Sequence, residues 1–564
     1  RRAAGAAPPA PRRRRRAVMS LRRVCKELVL EVVLRRALTA EDGEPGRLQL
    51  VVDEAALRVL SSFLKMGDLH AEGVTSMELI ERLREPLPSL DALYFFEPNA
   101  NNVDLVLGDY KTESAPQHRQ VHLAFSQPLA QELMARLAES KTLAPRVKTF
   151  LEVPLSFVLM EDRGFHFDML HALPGLFPVA DPGLAGEAAH RLADVCRCLQ
   201  VTSPCIRHMQ SPVCKAIAEQ VQTELSVSRP TSGAGPQCHL LIVDRSLDVA
   251  AALVHEYTYE AVAYDLLDGV ILDVDRHVVQ LKGPPARELL LSEADPLWEE
   301  MKHMHLEGVQ RLVDSKVDEV RRQNAANKDA SQMRTSDLLD MLRKTPEQRD
   351  TMDRLFLHMT LIEQIFSRLQ QERLTAGLGL LEQDIACGVD RAGKDVKATT
   401  LQAQLSKAFS DFTDLSSETK LRLLMLYFAC MANISEVVRQ KLIEMARLEP
   451  DDQDVLMAMI RTRLMEVPDS QRHRLGTGTV HRVAREQAAR FKRNAETDGR
   501  FQLSRFEPRL KDVIEQLVQG RLNDDDFPVL EGCEAPHDGG LRFAGFAGAG
   551  SAPGLAPPAA APPA

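Results

Sequence analysis

Two aspartates, Asp244 and Asp248, stand where an apolar run gives way to polar sequence. The run, Leu240-Leu241-Ile242-Val243, has the length and branched content of a buried parallel strand. It breaks into Asp244-Arg245-Ser246-Leu247-Asp248. Leu253, Tyr257, Ala261 and Tyr264 then recur every three or four residues, which predicts a helix. Carboxylates at the end of a strand, in a turn into a helix, lie where open α/β sheets bind ligands, and a pair there suits a metal or a sugar hydroxyl. The structural alternative has Arg245 and the amides of the next helix satisfying both acids, with Asp248 near the helix N-terminus. No nucleophile or phosphate cradle accompanies the pair.

Other chemistry is hard to assemble. Arg391-Ala392-Gly393-Lys394-Asp395 holds a Gly-Lys but lacks the upstream glycine and following hydroxyl of a phosphate loop. His255-Glu256 lacks the second histidine of a zinc-protease helix, and His303 and His305 would face apart on a helix. Cys196, Cys198, Cys205 and Cys214 lie near His208, yet not in the paired spacing of structural zinc sites. The nine cysteines are odd in number and contain no C-x-x-C, so they read as reduced thiols. No metal or cofactor is expected.

At 564 residues the chain is long enough for roughly three or four domains. A net charge of −10 and a pI near 5.9 argue against nucleic-acid binding. No apolar run reaches the ~20 residues of a membrane span. The longest, Leu421 to Ala432, is shorter and carries Arg422.

From Met19 to Glu152, strands Arg47–Asp53, Ala92–Glu97 and Gln120–Phe125 alternate with helical segments Glu54–Lys65 and Ser76–Leu83, which predicts a doubly wound parallel sheet. A second α/β unit begins near Val153, with a strand at Ser156–Glu161 and helices at Gly186–Leu199 and Ser211–Leu225. After Asp268 the pattern turns mainly helical. Leu355, Met359, Ile362, Phe366 and Leu369 form one helical face, and Pro346 ends or kinks the helix before it. Arg321–Arg334 reads as a mobile loop, and further helices are expected at Thr400–Phe409, Ser417–Leu448, Asp454–Glu466 and Glu507–Leu522. The basic stretch Gln471–Arg500 reads as a solvated linker, with anionic headgroups as the alternative contact.

Together these residues resemble the Sec/Munc (SM) family of syntaxin-binding regulators of membrane fusion. Its signature LLIxDRxxDxxxPLLHExTxQAxxYDLL is matched by Leu241, Asp244, Arg245, Asp248, Leu253, His255, Glu256, Thr258, Ala261, Tyr264, Asp265, Leu266 and Leu267. Further matches are Arg84–Leu90 (REPLPSL), Leu297-Trp298, His303 and His305, Leu381-Glu382-Gln383-Asp384, and Gln502-Leu503-Ser504-Arg505. The spelling around REPLPSL is nearest the exocytic branch.

The resemblance implies a three-domain arch, with two doubly wound parallel-sheet domains and a large helical one. Low-complexity, Arg-rich composition marks a disordered leader at 1–18, and the resemblance implies an α/β syntaxin-binding domain at 19–152 and a helical domain at 263–470. It also implies a discontinuous, incomplete α/β domain at 153–262 and 498–532, while charge and composition mark a basic linker at 471–497 and a disordered tail at 533–564. The implied function is binding of a syntaxin-type Qa-SNARE and templating of its assembly with a vesicle R-SNARE into the SNARE bundle. The protein would be a cytoplasmic monomer, held peripherally at plasma or secretory-vesicle membranes through SNAREs, without enzymatic activity. The alternatives are an α/β enzyme acting on a nucleotide or sugar through Asp244 and Asp248, and a general helical-bundle adaptor.

By motif matching, the syntaxin-facing charges fall on Asp53, Arg58, Lys65, Glu78 and Glu85. The pocket for a short N-terminal peptide falls on Ala130, Leu133, Phe150 and Glu152, with Ala130 replacing the family's aromatic. The SNARE-templating helix falls on Pro346, Met352, Leu355 and Met359, and a structural signature on Asp244, Arg245, Asp248 and His255. Val249 and Ala252 stand where the family has prolines, and the strand–helix–strand piece that follows in family chains is replaced by Gly/Ala/Pro sequence.

Overall fold

The computed structural model describes residues 20–38, 47–111, 116–227, 238–273, 277–281, 287–292, 295–325, 346–375, 377–465, 480–481 and 503–533. The expected leader, most of the basic linker and nearly all of the tail lie outside them. The chain divides into two compact units, one of residues 1–172, 180–244 and 514–564, the other of 173–179 and 245–513. Apart from the short stretch 173–179, it passes from the first to the second between Asp244 and Arg245 and returns after Val513.

The first unit opens with α1 (Leu21–Glu27), which runs through a π-helical stretch, Leu28–Leu34, into α2 (Arg35–Leu38). Five strands follow: β1 (Leu48–Val52), β2 (Val74–Leu79), β3 (Asp91–Phe96), β4 (Val121–Phe125) and β5 (Val147–Glu152). All pair in parallel, in the order β2-β1-β3-β4-β5. The connections are α3 (Glu54–Ser61), α4 (Met66–Ala71), α5 (Ala100–Asp109) and α6 (Gln131–Glu139). Because side chains alternate along a strand, Leu48, Leu50, Val52, Leu93 and Phe95 pack into one apolar layer, and Val51, Ala92, Tyr94 and Phe96 into another. Both faces of the central strands β1, β3 and β4 are buried, which is why they read as mainly apolar, while the edge strands β2 and β5 mix covered and exposed positions.

A short hairpin, β6 (Val158–Leu159) with β7 (Phe165–His166), occupies the place of the longer strand expected at Ser156–Glu161. Helix α7 (Pro182–Cys198), capped by Asp181, and α8 (Pro212–Val227) flank the parallel pair β8 (Cys205–His208) and β9 (His239–Ile242). The returning chain joins this pair through an antiparallel bridge between Arg207 and Val529.

The second unit is mainly helical. It holds α9 (Tyr259–Leu267), a three-stranded antiparallel sheet of β10 (Leu272–Asp273), β11 (Val278–Leu281) and β12 (Arg287–Leu290), then α10 (Pro296–Met301) and α11 (Leu306–Ala325). After them come α12 (Pro346–Gln371), α13 (Leu378–Cys387), α14 (Ala398–Asp411), α15 (Ser417–Cys430), α16 (Glu436–Ala446) and α17 (Pro450–Arg461). Helix α18 (Arg509–Val518) begins in this unit and ends in the first. Gly388 closes α13 at φ 68°, a left-handed conformation that glycine adopts without a steric penalty.

Three local expectations are corrected. Ser76–Leu83 is not a helix: Val74–Leu79 pairs with β1 as an edge strand and a turn follows. The helix expected from Leu253 starts at Tyr259, after two short 3-10 turns at Arg245–Leu247 and Ala250–Ala252. The long helix expected over Ser417–Leu448 breaks at Met431, where Met431–Ala432 pairs with Val480–His481.

Candidate functional site

The signature loop uses its carboxylates internally. The Asp244 carboxylate accepts the Ser211 hydroxyl at 2.5 Å. One oxygen of Asp248 accepts the Ala251 amide at 3.1 Å and the other accepts the Arg509 amide at 2.9 Å, tying the loop to the start of α18. Exposed Arg245 reaches the Asp248 carbonyl at 3.4 Å.

In the second unit, motifs more than a hundred residues apart converge. The buried Glu382 carboxylate meets His255 Nδ1 at 2.7 Å and accepts the His255 backbone amide. The adjacent Gln383 side-chain Oε1 accepts the backbone amides of Arg505 and Phe506 at 2.8 and 2.9 Å. Asp384 accepts the Arg505 guanidinium at 2.6 Å, which also reaches the Val389 carbonyl at 2.6 Å. Arg422 grips Asp265 through two bonds of 2.7 Å and the Leu253 carbonyl at 2.6 Å. Burial alone would push the Asp265 carboxyl up, but the hydrogen bond and charge of Arg422 hold it below the usual range. A Cβ on Gly379 would stand 2.1 Å from the Leu374 carbonyl, so this packing requires glycine. These residues form a brace in which each buried polar group has a partner.

The charges expected on the first unit do not share one fate. Arg58, Lys65, Glu78 and Glu85 are exposed. Arg58, on α3, pairs with Asp168 at 2.8 Å. Lys65 precedes α4, and its backbone amide donates to Asp68 at 3.1 Å. Glu78 lies on edge strand β2 in register with Val51. Asp53 is a correction: it is 4% exposed. Its carboxylate caps α3 through the Ala56 amide at 2.8 Å and accepts the Glu97 amide at 3.1 Å and the Asn102 side chain at 2.6 Å. Burial pushes its pKa up although these bonds pull the other way. Its role is to cap a helix and join β1 to α5.

Glu85 follows a pinned loop. The buried Arg84 guanidinium donates to Asp109 at 2.5 Å and to the Leu79 carbonyl at 2.8 Å. Tyr94 donates to the same Asp109 oxygen at 2.8 Å, and Gln117 donates to the Arg84 and Glu85 carbonyls at 3.2 and 3.1 Å. Behind them, His118 lies within hydrogen-bonding distance of Tyr94 and Tyr110 and meets Gln49 at 2.7 Å. Burial, with the nearby Arg84 charge, lowers the His118 pKa to about 4.

The four peptide-pocket residues come from α6 and β5. Ala130 is the exposed N-cap of α6, and Leu133 packs on the apolar layer behind it. Phe150 leans on Phe125 and is 38% exposed. Exposed Glu152 accepts the Leu129 amide at 2.8 Å, setting the chain entering α6.

On α12, Pro346 is the first residue, and the stretch before it lies outside the described residues. Leu355 is corrected from a partner-facing position to core at 3% exposure, while Met359 is 39% and Phe356 47% exposed. Met352 is half-buried against the core. The exposed apolar stripe is therefore Phe356 and Met359, with half-buried Met352 beside them. Phe356 was absent from the motif-based expectation, although its spacing of four and three from its neighbours marks the same face. The opposite face is fixed by buried His358, which contacts Tyr259 at 2.9 Å and Asp295 at 3.2 Å.

Among the described residues no helix is long and apolar enough to cross a membrane. The sequence matches the model of the Sec1 family over residues 49–560. It is 30% identical over 546 residues to SNARE-interacting protein KEULE of Arabidopsis thaliana, covering 91% of this chain and 79% of that one. It is also 30% identical over 531 residues to protein transport protein sec1 of Dictyostelium discoideum, covering 91% and 84%. Its structure is similar to that in the Unc18–syntaxin 1 complex of Monosiga brevicollis, with a TM-score of 0.77, 26% identity, and coverage of 92% of this chain and 89% of that one. The SM protein Vps45, solved with the Qa-SNARE Tlg2, shares the fold at a TM-score of 0.69 and 20% identity, covering 91% and 88%. A family match over most of the chain, together with the convergence of its scattered motifs into one buried brace, means that this chain belongs to the Sec1 family.

Proposed function

We propose that this chain is a non-enzymatic regulator of vesicle docking and fusion that binds a syntaxin-type Qa-SNARE and templates its assembly with a vesicle R-SNARE, at the exocytic step. The observation that carries the reading is the likeness, over 92% of the chain, to a relative solved with syntaxin 1. In this reading residues 19–152 form the Qa-SNARE-binding domain, with Arg58, Lys65, Glu78 and Glu85 as its charged surface. The exposed stripe of α12 is the templating face. Ala130, Leu133, Phe150 and Glu152 receive a short N-terminal peptide. Residues 153–262 and 498–532 form a second, discontinuous α/β domain, and the helical domain is 263–470. The protein acts as a cytoplasmic monomer reaching membranes through SNAREs. Surface charges suit this task because complementary ion pairs set register and association rate more than raw affinity.

The test is calorimetric titration with a panel of syntaxin cytoplasmic domains, with Glu78→Lys alongside. Nanomolar binding to one domain, weakened about tenfold or more by the charge reversal, is expected, since like charges brought together at an interface cost several kcal/mol. Failure to bind any domain, or saturable nucleotide binding coupled to turnover, overturns the reading.

A further inference from the structure

The turn after β2 carries a leucine with no covering. Leu83 is 103% exposed, the highest value among the large apolar side chains described. A single exposed leucine is ordinary on a protein surface. Two features set this one apart.

Its backbone is held on both sides. Before it, the Ile80 amide donates to the Val52 carbonyl at 2.8 Å, with the Ile80 side chain only 2% exposed, and the Arg82 amide donates to the Leu79 carbonyl at 3.2 Å. After it, the buried Arg84 guanidinium clamps Asp109 and the Leu79 carbonyl, and also reaches the Arg82 carbonyl at 3.3 Å. Gln117 holds the Arg84 carbonyl, and the Leu87 amide donates to the Gln117 carbonyl at 2.7 Å. The leucine is thus displayed from a fixed loop, so binding through it orders little additional chain.

The second feature is charge. The exposed ionisable neighbours in sequence are Glu78, Glu81, Arg82 and Glu85, three acids and one base, while the Arg84 charge is spent on Asp109. An apolar side chain bordered by carboxylates fits a partner surface with an apolar notch bordered by lysine or arginine.

We infer that Leu83 is an apolar anchor of the Qa-SNARE-binding surface, seated between helices of the syntaxin-type bundle at a point flanked by basic side chains. The inference rests on the proposed function and names the residue that gives that charged surface its apolar contact. An anchor filling a pocket inside a polar rim has the arrangement of a binding hot spot.

The test uses the full chain and the syntaxin domain bound by wild type, comparing Leu83→Ser, Leu83→Met and Glu81→Lys by calorimetry and association kinetics. Leu83→Ser is expected to weaken binding by about 10- to 100-fold, the value of fully burying a leucine. Leu83→Met should bind within about twofold of wild type, since it conserves apolar volume. Glu81→Lys should slow association and flatten its salt dependence. None should move the unfolding midpoint. Tight wild-type binding with unchanged Leu83→Ser affinity overturns the anchor alone, and unchanged Glu81→Lys kinetics overturn the basic character of the partner. A wild-type chain that binds none of the syntaxin domains overturns the functional reading, and the anchor falls with it.

Discussion

Replacing Glu382 with leucine removes the centre of the brace in the second unit. Glu382 is 2% exposed, and its carboxylate receives two donors from His255, the ring nitrogen at 2.7 Å and the backbone amide. Each donor left buried without a partner costs about 1–3 kcal/mol. Breaking a buried pair by deleting one member costs about 3–5 kcal/mol. Leucine keeps the site apolar and nearly filled, so packing adds little, and a loss of about 3–5 kcal/mol is expected. Trp298, the single tryptophan of the chain, is 3% exposed and lies in the second unit's core. Its fluorescence during urea unfolding therefore follows that unit. His255→Leu removes the ring and leaves the amide bonded to Glu382, so the double variant should lose about 1–3 kcal/mol less than the two singles added together. A loss below about 1 kcal/mol for Glu382→Leu, or strict additivity in the double variant, would refute the reasoning.

Three further outcomes are expected. His118 titrates near 4 when folded, against 6.5 ordinarily, so the unfolded chain takes up its proton first. That contribution is complete above about pH 6.5 and is lost as the pH falls through the window down to 4, a change of about 3 kcal/mol. Hydrogen exchange of the β4 amides should report the loss in wild type and a flatter profile in His118→Gln. On α12, Leu355→Ala should cost about 2–5 kcal/mol by opening a cavity. Phe356→Ala should cost under about 1 kcal/mol yet weaken SNARE binding, and urea unfolding beside calorimetry separates the two; equal destabilisation would contradict the assignment of the helix faces.

The sequence by itself determined the family, the alternation of strands and helices in the first unit and the helical character of most of the second. These are local or motif-borne properties: an apolar run such as Leu240–Val243 identifies a strand, and ordered motifs survive at low identity. What the tertiary structure decided was the use of individual polar groups. Asp53 reads as one charge among five until Asn102 on α5 closes over it. Residues 76–83 carry a helix-compatible pattern, but the free edge of β1 supplies hydrogen bonds that only an extended chain can take. On α12 the apolar stripe is wide, and packing against α9 and α11 determines that Leu355 turns inward while Phe356 and Met359 face solvent. Glu382, Gln383 and Asp384 stand 120 residues or more from the partners they hold, a convergence that periodicity within a single segment does not encode.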